Sequence, residues 1–339
     1  MRAFRLAYDG TGYRGFQRQP HGEAVEDAIL EALEALGVGF EDGTPAGYAA
    51  AGRTDAGVSA RAQTVAFEAP GWLTPRAFNA ELPADVRAWA SADVPGSFHA
   101  THDAVERHYR YFLYAPPSNV GATSPDGAPN GGGDGDGDGG GDGDGDGGGD
   151  GDGDGGGDGD GDGYLYEHGY GYGEGEGIGD EVAVVDDAAV ETACERLSGR
   201  HDFHNLTPDG SGTEREPTVR VARDGAFLVV DCRAGGFPRE FVRRLVSLLR
   251  AVGRGEREPA FVDRVLDPEP LAGPDGIAPA APEPLVLLDV AYPGITFEID
   301  ASAAAGAREI FERRRRERLA GAYVAGALSP TDDRRIDRG

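Results

Sequence analysis

Apolar residues recur along the chain at the spacings of strands and helices. Phe4, Leu6 and Tyr8 alternate with other residues and predict a strand over residues 2–9. Apolar residues at every third or fourth position predict a helix over 23–36, which ends at Gly37. The same spacings predict strands over 63–68, 86–90, 107–114, 218–222, 227–232 and 285–290, and helices opening at Thr74–Pro75 and over 187–197, 238–252 and 302–324.

These elements do not follow the regular strand–helix alternation of a parallel sheet. The mixture instead favours an α+β fold in which two related halves share one mostly antiparallel sheet, with a cleft between them. We expect an N-terminal half over 1–117, a C-terminal half over 180–300, and a last helix with a tail over 301–339.

The expected halves are separated by a segment of extreme composition. Residues 131–162 are four copies of Gly-Gly-Gly-Asp-Gly-Asp-Gly-Asp, which offer no apolar side chain to bury. Such a segment cannot offset the entropy lost on ordering, so we predict disorder over 118–179. The alternative is a calcium-binding β-roll, but that motif repeats every nine residues and has an apolar residue in each repeat.

Charge suggests the environment in which the chain works. Its 339 residues contain 60 acidic and 32 basic side chains, for a net charge of −28, and every basic residue other than histidine is arginine. The repeat contributes twelve of the negative charges, so the remainder carries −16. This balance favours adaptation to high salt, where repulsion between carboxylates is screened. An acidic protein from a GC-rich genome is the alternative. Neither excludes nucleic acid as a partner, because phosphate binding needs only a local basic groove.

Two further classes of site have little support. Cys194 and Cys232 are the only cysteines, and two isolated cysteines form neither a metal motif nor a disulfide framework, so we predict that both are buried core residues. The first residues lack a signal-peptide core, and no apolar run is long enough to span a bilayer. We therefore expect a cytoplasmic protein without a membrane partner.

Residues 51–60, Ala-Gly-Arg-Thr-Asp-Ala-Gly-Val-Ser-Ala, are the first candidate for chemistry. Asp55 stands among small residues, so little side-chain bulk separates its carboxylate from a ligand. Gly52 and Gly57 allow a close approach of the backbone. Taken alone, Asp55 is equally well interpreted as a turn former whose oxygens bond to nearby backbone N–H groups.

Three other stretches have compositions that suit RNA. Residues 8–19 are rich in glycine, arginine and aromatic residues, as expected of a loop that stacks bases and grips phosphates. Residues 107–111 predict a strand with Tyr109 and Tyr111 on one face and His108 and Arg110 on the other. Residues 235–244 form a glycine turn that leads into a helix with three early arginines.

In this order, the four stretches resemble the tRNA pseudouridine synthase A family. The similarity covers nearly the whole chain except the Gly/Asp segment and the last helix, and it includes residues 197–203 and the closing Ala291-Tyr292-Pro293. It implies the pseudouridine synthase fold with a central RNA-binding cleft. It also implies that uridine is isomerised to pseudouridine in the anticodon stem-loop of tRNA, at tRNA positions 38 to 40, by a homodimer without metal or cofactor.

The resemblance also assigns roles to individual residues. Asp55 is implied as the catalytic carboxylate, which either attacks C1′ as a nucleophile or abstracts a ribose proton to give a glycal. Tyr109 would stack on the flipped uracil, Arg243 would pair with Asp55 and keep it ionised, and Arg53 would hold the vacated space or contact a phosphate. We assign RNA contacts to polar and aromatic residues of the matching stretches: Tyr13, Arg14, Phe16, Gln17, Arg18, Arg110, Arg239 and Arg244.

Departures from the family pattern leave some contacts open. Ser59 stands where relatives often have histidine, His108 where many have arginine, and residues 214–217 differ from the usual segment, which leaves any contact by Arg215 in question. The four arginines of residues 313–316 fit either a solvated helix face or a phosphate-contacting one.

Two functions of other classes compete with the isomerase. One is an RNA-binding protein without catalysis. The loss of Asp55 would indicate that function, and Asp55 is present in this chain. The other is a cation-binding interaction protein defined by its Gly/Asp repeat.

Overall fold

The computed structural model describes residues 1–20, 22–116, 185–271 and 273–328. All of them belong to one compact unit. Its strands are β1 Arg2–Tyr8, β2 Ala49–Ala50, β3 Ser59–Phe67, β4 Val86–Asp93, β5 Glu106–Tyr114, β6 His201–Asp202, β7 Glu214–Arg215, β8 Thr218–Asp224, β9 Phe227–Ala234, β10 Leu285–Ala291 and β11 Glu298–Ile299. Its helices are α1 Val25–Ala35, α2 Pro75–Phe78, α3 Asp187–Leu197, α4 Phe241–Gly253, α5 Phe261–Val265 and α6 Ala301–Leu328.

Nine of these strands form one sheet in the order β11-β4-β1-β3-β10-β5-β9-β8, with β2 paired to β3. Among the described pairs only β3 and β10 run parallel. The late strand β10 lies between β3 and β5, and β5 pairs in turn with β9. The two sequence halves are therefore interleaved at the centre of one mostly antiparallel sheet, which confirms the predicted α+β class.

Buried apolar residues of the helices and the sheet form one core. Ile29 and Leu33 of α1 are fully buried, as are Leu245 and Leu249 of α4. Helix α4 contacts β5, while α3 contacts both α4 and β8. The face of α4 that the apolar spacing predicted is thus the face that covers the sheet.

Most predicted elements are present, several with longer bounds than the alternation indicated. The start of the helix predicted over 238–252 was wrong, since α4 begins only at Phe241. Glu240 adopts a left-handed conformation with φ of 60°, and the Phe241 N–H donates to the Pro238 carbonyl at 3.3 Å, so 238–240 form a turn. The two-residue strands and α5 were not predicted. The segment predicted to be disordered, 118–179, lies outside the described residues.

The two cysteines are free and buried, which confirms their assignment to the core. Burial raises the pKa of the Cys194 thiol to about 12, so this side chain stays protonated at physiological pH. Within the described ranges, no helix is both long and apolar enough to cross a membrane.

One face of β5 carries a charged cluster, as its alternation predicted. Asp231 on β9 accepts from Arg110 at 2.9 and 3.0 Å, and its Oδ1 lies 2.5 Å from His108 Nε2. Burial alone would raise the pKa of the Asp231 carboxyl, but hydrogen bonds from Arg110 and His108 outweigh it and the pKa lies below its ordinary value. Arg110 is therefore occupied by a structural ion pair.

This cluster should make stability depend on pH. A depressed carboxyl pKa contributes stability that is present above the unfolded-state pKa and lost as pH falls through the folded-state value. We expect Asp231→Asn to lower the free energy of unfolding near neutral pH by about 1–3 kcal/mol. The difference from wild type should shrink below about pH 4. Denaturant unfolding measured across pH tests this, and a difference that stays constant down to acid pH would contradict it.

Candidate active site

The segment around Asp55 is the loop between β2 and β3, and buried side chains hold its backbone. Gln63 on β3 donates from Nε2 to the Gly52 carbonyl at 2.9 Å. The Tyr8 hydroxyl lies 2.7 Å from the Thr54 hydroxyl in a buried hydrogen bond. Both contacts come from strands of the central sheet, so the residue next to Asp55 has little freedom to move.

Arg107 is a further support of this loop. At the start of β5, its guanidinium donates to the carbonyl of Ala51 at 2.7 and 3.2 Å, of Thr101 at 2.9 Å, and of Gly235 at 2.5 Å. One side chain therefore ties the Asp55 loop to the turn that precedes α4. Arg107 belongs to the 107–111 stretch, but its sequence context predicted no role for it.

Asp55 and Arg243 form an ion pair, as the resemblance implied. Arg243 Nη1 donates to Asp55 Oδ2 at 3.1 Å, and its Nε donates to the Ala280 carbonyl at 2.6 Å. The Asp55 side chain is 34% exposed and that of Arg243 15%. The Arg243 guanidinium is thus held in the wall of the cleft, while the Asp55 carboxylate remains partly exposed to the cleft.

Tyr109 lies in the same cleft, on the face of β5 opposite the Asp231 cluster. Its ring meets the Phe237 ring edge-on, with centroids 5.3 Å apart. Burial, more than the nearby charges, raises the pKa of the Tyr109 hydroxyl to about 12. The side chain therefore presents a neutral, mostly buried phenol at the wall of the cleft.

The cleft that these residues share is open and has a volume of about 1380 Å³. Asp55, Tyr109 and Arg243 line it together with Arg14, Arg53 and Arg239. Small-molecule pockets usually occupy about 300–1,000 Å³, so this cleft suits a larger ligand. Arg53 is exposed and makes no hydrogen bond or ion pair with the described residues, so its guanidinium is available to a phosphate.

The structure distributes the predicted RNA-binding residues between the cleft and other places. Arg14, Phe16, Gln17 and Arg239 line the cleft, although Phe16 is 1% exposed and packs on Tyr8. The others are engaged away from its lining: Tyr13 with Asp85, Arg18 with the Gly43 carbonyl, Arg110 with Asp231, and Arg244 with Glu240 and the Ile277 carbonyl. Arg215 bonds to the carbonyl of its neighbour Glu214.

No group of three or more metal-ligating side chains among the described residues could hold a metal ion. At the ion pair itself, the Asp55 carboxylate and the Arg243 guanidinium share the cleft with the Tyr109 phenol.

Comparison with known proteins identifies the family. A family model described as tRNA pseudouridine synthase matches residues 193–293. A tRNA pseudouridine synthase A of Natronomonas pharaonis is 54% identical over 98% of this chain and 100% of its own length. The chain belongs to the tRNA pseudouridine synthase A family.

Other family members with this name come from Haloarcula marismortui and Halobacterium salinarum. They are 48% and 44% identical, each over 97% of this chain and over 99% and 98% of their own lengths. These sources are halophilic archaea, which agrees with the high-salt adaptation predicted from charge. With 98% of the chain covered, the alignment includes the last helix, which the sequence motifs had left outside the family resemblance.

Gly57 offers a test of how tightly the Asp55 loop is built. Its φ is +81°, and a Cβ there would lie 2.9 Å from Pro282 Cγ. We expect Gly57→Ala to lower the free energy of unfolding by about 1–3 kcal/mol, because both the backbone and the contact would be strained. Gly12→Ala is the matched control, since a Cβ at Gly12 meets open space. Denaturant titration of both variants checks this, and equal stabilities would contradict it.

Proposed function

We propose that this chain isomerises uridine to pseudouridine in tRNA. The observation that carries the proposal is the Asp55–Arg243 ion pair, held open to an arginine-lined cleft with Tyr109 beside it. The family membership and the names of the relatives support the same reaction.

The reaction needs one carboxylate at the sugar carbon. The bond from C1′ to N1 breaks, the uracil rotates, and C5 bonds to C1′, while the hydrogen on C5 is lost and N1 gains one. Asp55 serves either as the nucleophile at C1′ or as the base that removes a ribose proton. Arg243 holds the carboxylate in place for both routes, because its Nη1 donates to Asp55 Oδ2 at 3.1 Å.

Access to C1′ requires that the uridine leave its stack. Extrusion of a base costs a few kcal/mol, and contacts that hold the flipped nucleotide offset this cost. Tyr109 supplies a ring against which the uracil can stack, and the exposed Arg53 can fill the vacated space or hold the phosphate. Arg14 and Arg239 also line the cleft, where each is ion-paired, Arg14 with Glu23 at 2.6 Å and Arg239 with Asp209 at 3.4 Å. A phosphate would therefore have to compete with these carboxylates for the two arginines, whereas Arg53 is free to meet it.

The finer assignments follow the family resemblance. We propose uridines of the anticodon stem-loop, at tRNA positions 38 to 40, as targets, a homodimer as the active assembly so that one tRNA contacts both subunits, and the cytoplasm as the location. Loop uridines are less costly to extract than those in a helix. Chemical mapping of pseudouridine on unmodified tRNA transcripts tests the position, and sedimentation of the protein tests the assembly.

Asp55→Asn tests the catalytic role directly. We expect the rate of pseudouridine formation to fall by about 10⁴-fold or more, because the amide is neither a nucleophile nor a base, while tRNA binding survives. The measurement is single-turnover conversion on a tRNA transcript together with a filter-binding assay. Asp93→Asn, an exposed change on β4, is the control and should leave both unchanged. Full activity of the Asp55 variant would contradict a catalytic role for this carboxylate.

Deletion of residues 131–162 separates the isomerase from a protein defined by its repeat. We expect the shortened chain to retain pseudouridine formation within about twofold of wild type, because every residue of the proposed site lies outside the deletion. The same tRNA assay, run at equal salt on both proteins, measures this. Loss of activity in a variant that melts at the wild-type temperature would favour the repeat as the functional element.

A further inference from the structure

The last helix reaches back to the start of the chain through two arginines. Helix α6 contacts β4 and α2, and Ala303 and Ala307 are buried in that contact. Further along, Arg314 Nη1 and Arg318 Nη2 both donate to Asp9 Oδ2, at 2.6 and 2.5 Å. The Asp9 side chain is 4% exposed, so this is a largely buried carboxylate shared by two cations.

Asp9 uses its other oxygen to shape the chain that follows β1. Its Oδ1 accepts from the Thr11 N–H at 3.3 Å and from the Thr11 hydroxyl at 2.8 Å, and so caps the 3-10 turn Gly10–Gly12. Burial alone would raise the pKa of the Asp9 carboxyl, but the bonds from Thr11 and Arg314 and the charge of Arg318 outweigh burial and lower the pKa. Without the two arginines, the buried carboxylate would lack a compensating charge.

The capped turn packs directly on the end of the Asp55 loop. The Gly10 N–H donates to Ser59 Oγ at 3.0 Å. A Cβ at Gly10 would overlap the Val58 carbonyl, so turn and loop are in backbone contact. A shift of the turn is therefore transmitted to Val58 and Ser59 without an intervening side chain.

Two backbone hydrogen bonds continue this contact toward the carboxylate. The Gly57 N–H donates to the Tyr13 carbonyl at 3.2 Å, and the Phe16 N–H donates to the Thr54 carbonyl at 2.9 Å. These two hydrogen bonds hold the loop on both sides of Asp55. The Tyr13 hydroxyl is held in turn by Asp85 at 2.9 Å, and Arg314 lies 3.9 Å from Asp85.

We propose that Arg314 and Arg318 are positioning residues for Asp55, acting through Asp9 and the turn that it caps. This inference rests on the proposed isomerase function. It gives the last helix a role in the chemical step, although the helix lies outside the residues matched by the family model.

A direct phosphate contact by the helix is the competing role. Arg313 and Arg316 are exposed and make no hydrogen bond or ion pair with the described residues, so they are the arginines of this run that are free to meet a phosphate. Arg314 and Arg318 instead donate to Asp9, and Arg318 also lies within hydrogen-bond distance of the Thr11 hydroxyl. The pairs Arg314/Arg318 and Arg313/Arg316 lie on the same helix, but among the described residues only the first pair is hydrogen-bonded to Asp9.

The test compares Arg314→Gln/Arg318→Gln with the matched control Arg313→Gln/Arg316→Gln, which removes the same charge. We expect the first double variant to lower kcat on a tRNA transcript by about 10–100-fold with KM within about threefold, because a slight misplacement of the carboxylate affects the chemical step. The control should keep kcat at the wild-type value. Arg314→Lys in an otherwise wild-type chain should retain more activity than Arg314→Gln, because a positive charge remains beside Asp9.

Adding Asp9→Asn to the first double variant removes the uncompensated carboxylate and should recover part of the lost kcat. Assays are run below the melting temperature of each variant. If the first double variant is unfolded, the Arg314→Lys and Arg314→Gln single variants decide by the same kcat comparison.

Unchanged kcat in the folded variants, or an equal rise in KM for both double variants, would overturn positioning in favour of a solvated or phosphate-contacting helix. A wild-type protein that forms no pseudouridine would instead refute the proposed function itself.

Discussion

The ion pair between Arg243 and Asp55 joins side chains that are 188 residues apart, and the site depends on the sheet that brings them together. Strand β10 lies between β3 and β5. The loop before β3, the first residue of β10 and the face of β5 that carries Tyr109 therefore all border one cleft. Arg107 then links the Asp55 loop to the turn before α4. The carboxylate is held by both sequence halves, and neither half alone contains the site.

Sequence periodicity predicted the elements whose apolar residues repeat often enough to be recognised. Helix α3 and the apolar face of α4 follow their spacing closely. Two-residue strands and the five-residue α5 are too short to show a period. The start of α4 was misplaced because spacing does not register the left-handed turn at Glu240. The strand order could not be predicted, because nothing local to β10 indicates that it enters between β3 and β5.

The residues of the site could be predicted only in part. Motifs around Asp55, Tyr109 and Arg243 carried the assignment, and the structure brings all three to one cleft. Arginine side chains were harder to assign, because a guanidinium has five donors and bonds equally well to a phosphate, a carboxylate or a backbone carbonyl. Arg107 and Arg110 are neighbours in one stretch, yet one binds carbonyl oxygens and the other Asp231. Carbonyl partners leave no trace in sequence, so such supports are found only in a structure.

The interleaved centre of the sheet also constrains the order in which the protein can form. Strands β3 and β5 both pair with β10, whose residues follow β3 by more than two hundred positions. While only the N-terminal half has left the ribosome, the edges of β3 and β5 that pair with β10 have no partner, and such edges are prone to pair with other chains. Closing contacts over this separation is slow, because the entropy of a long loop is lost before the pairing is gained. The arrangement that places the carboxylate between two halves therefore delays completion of the site until β10 has been synthesised.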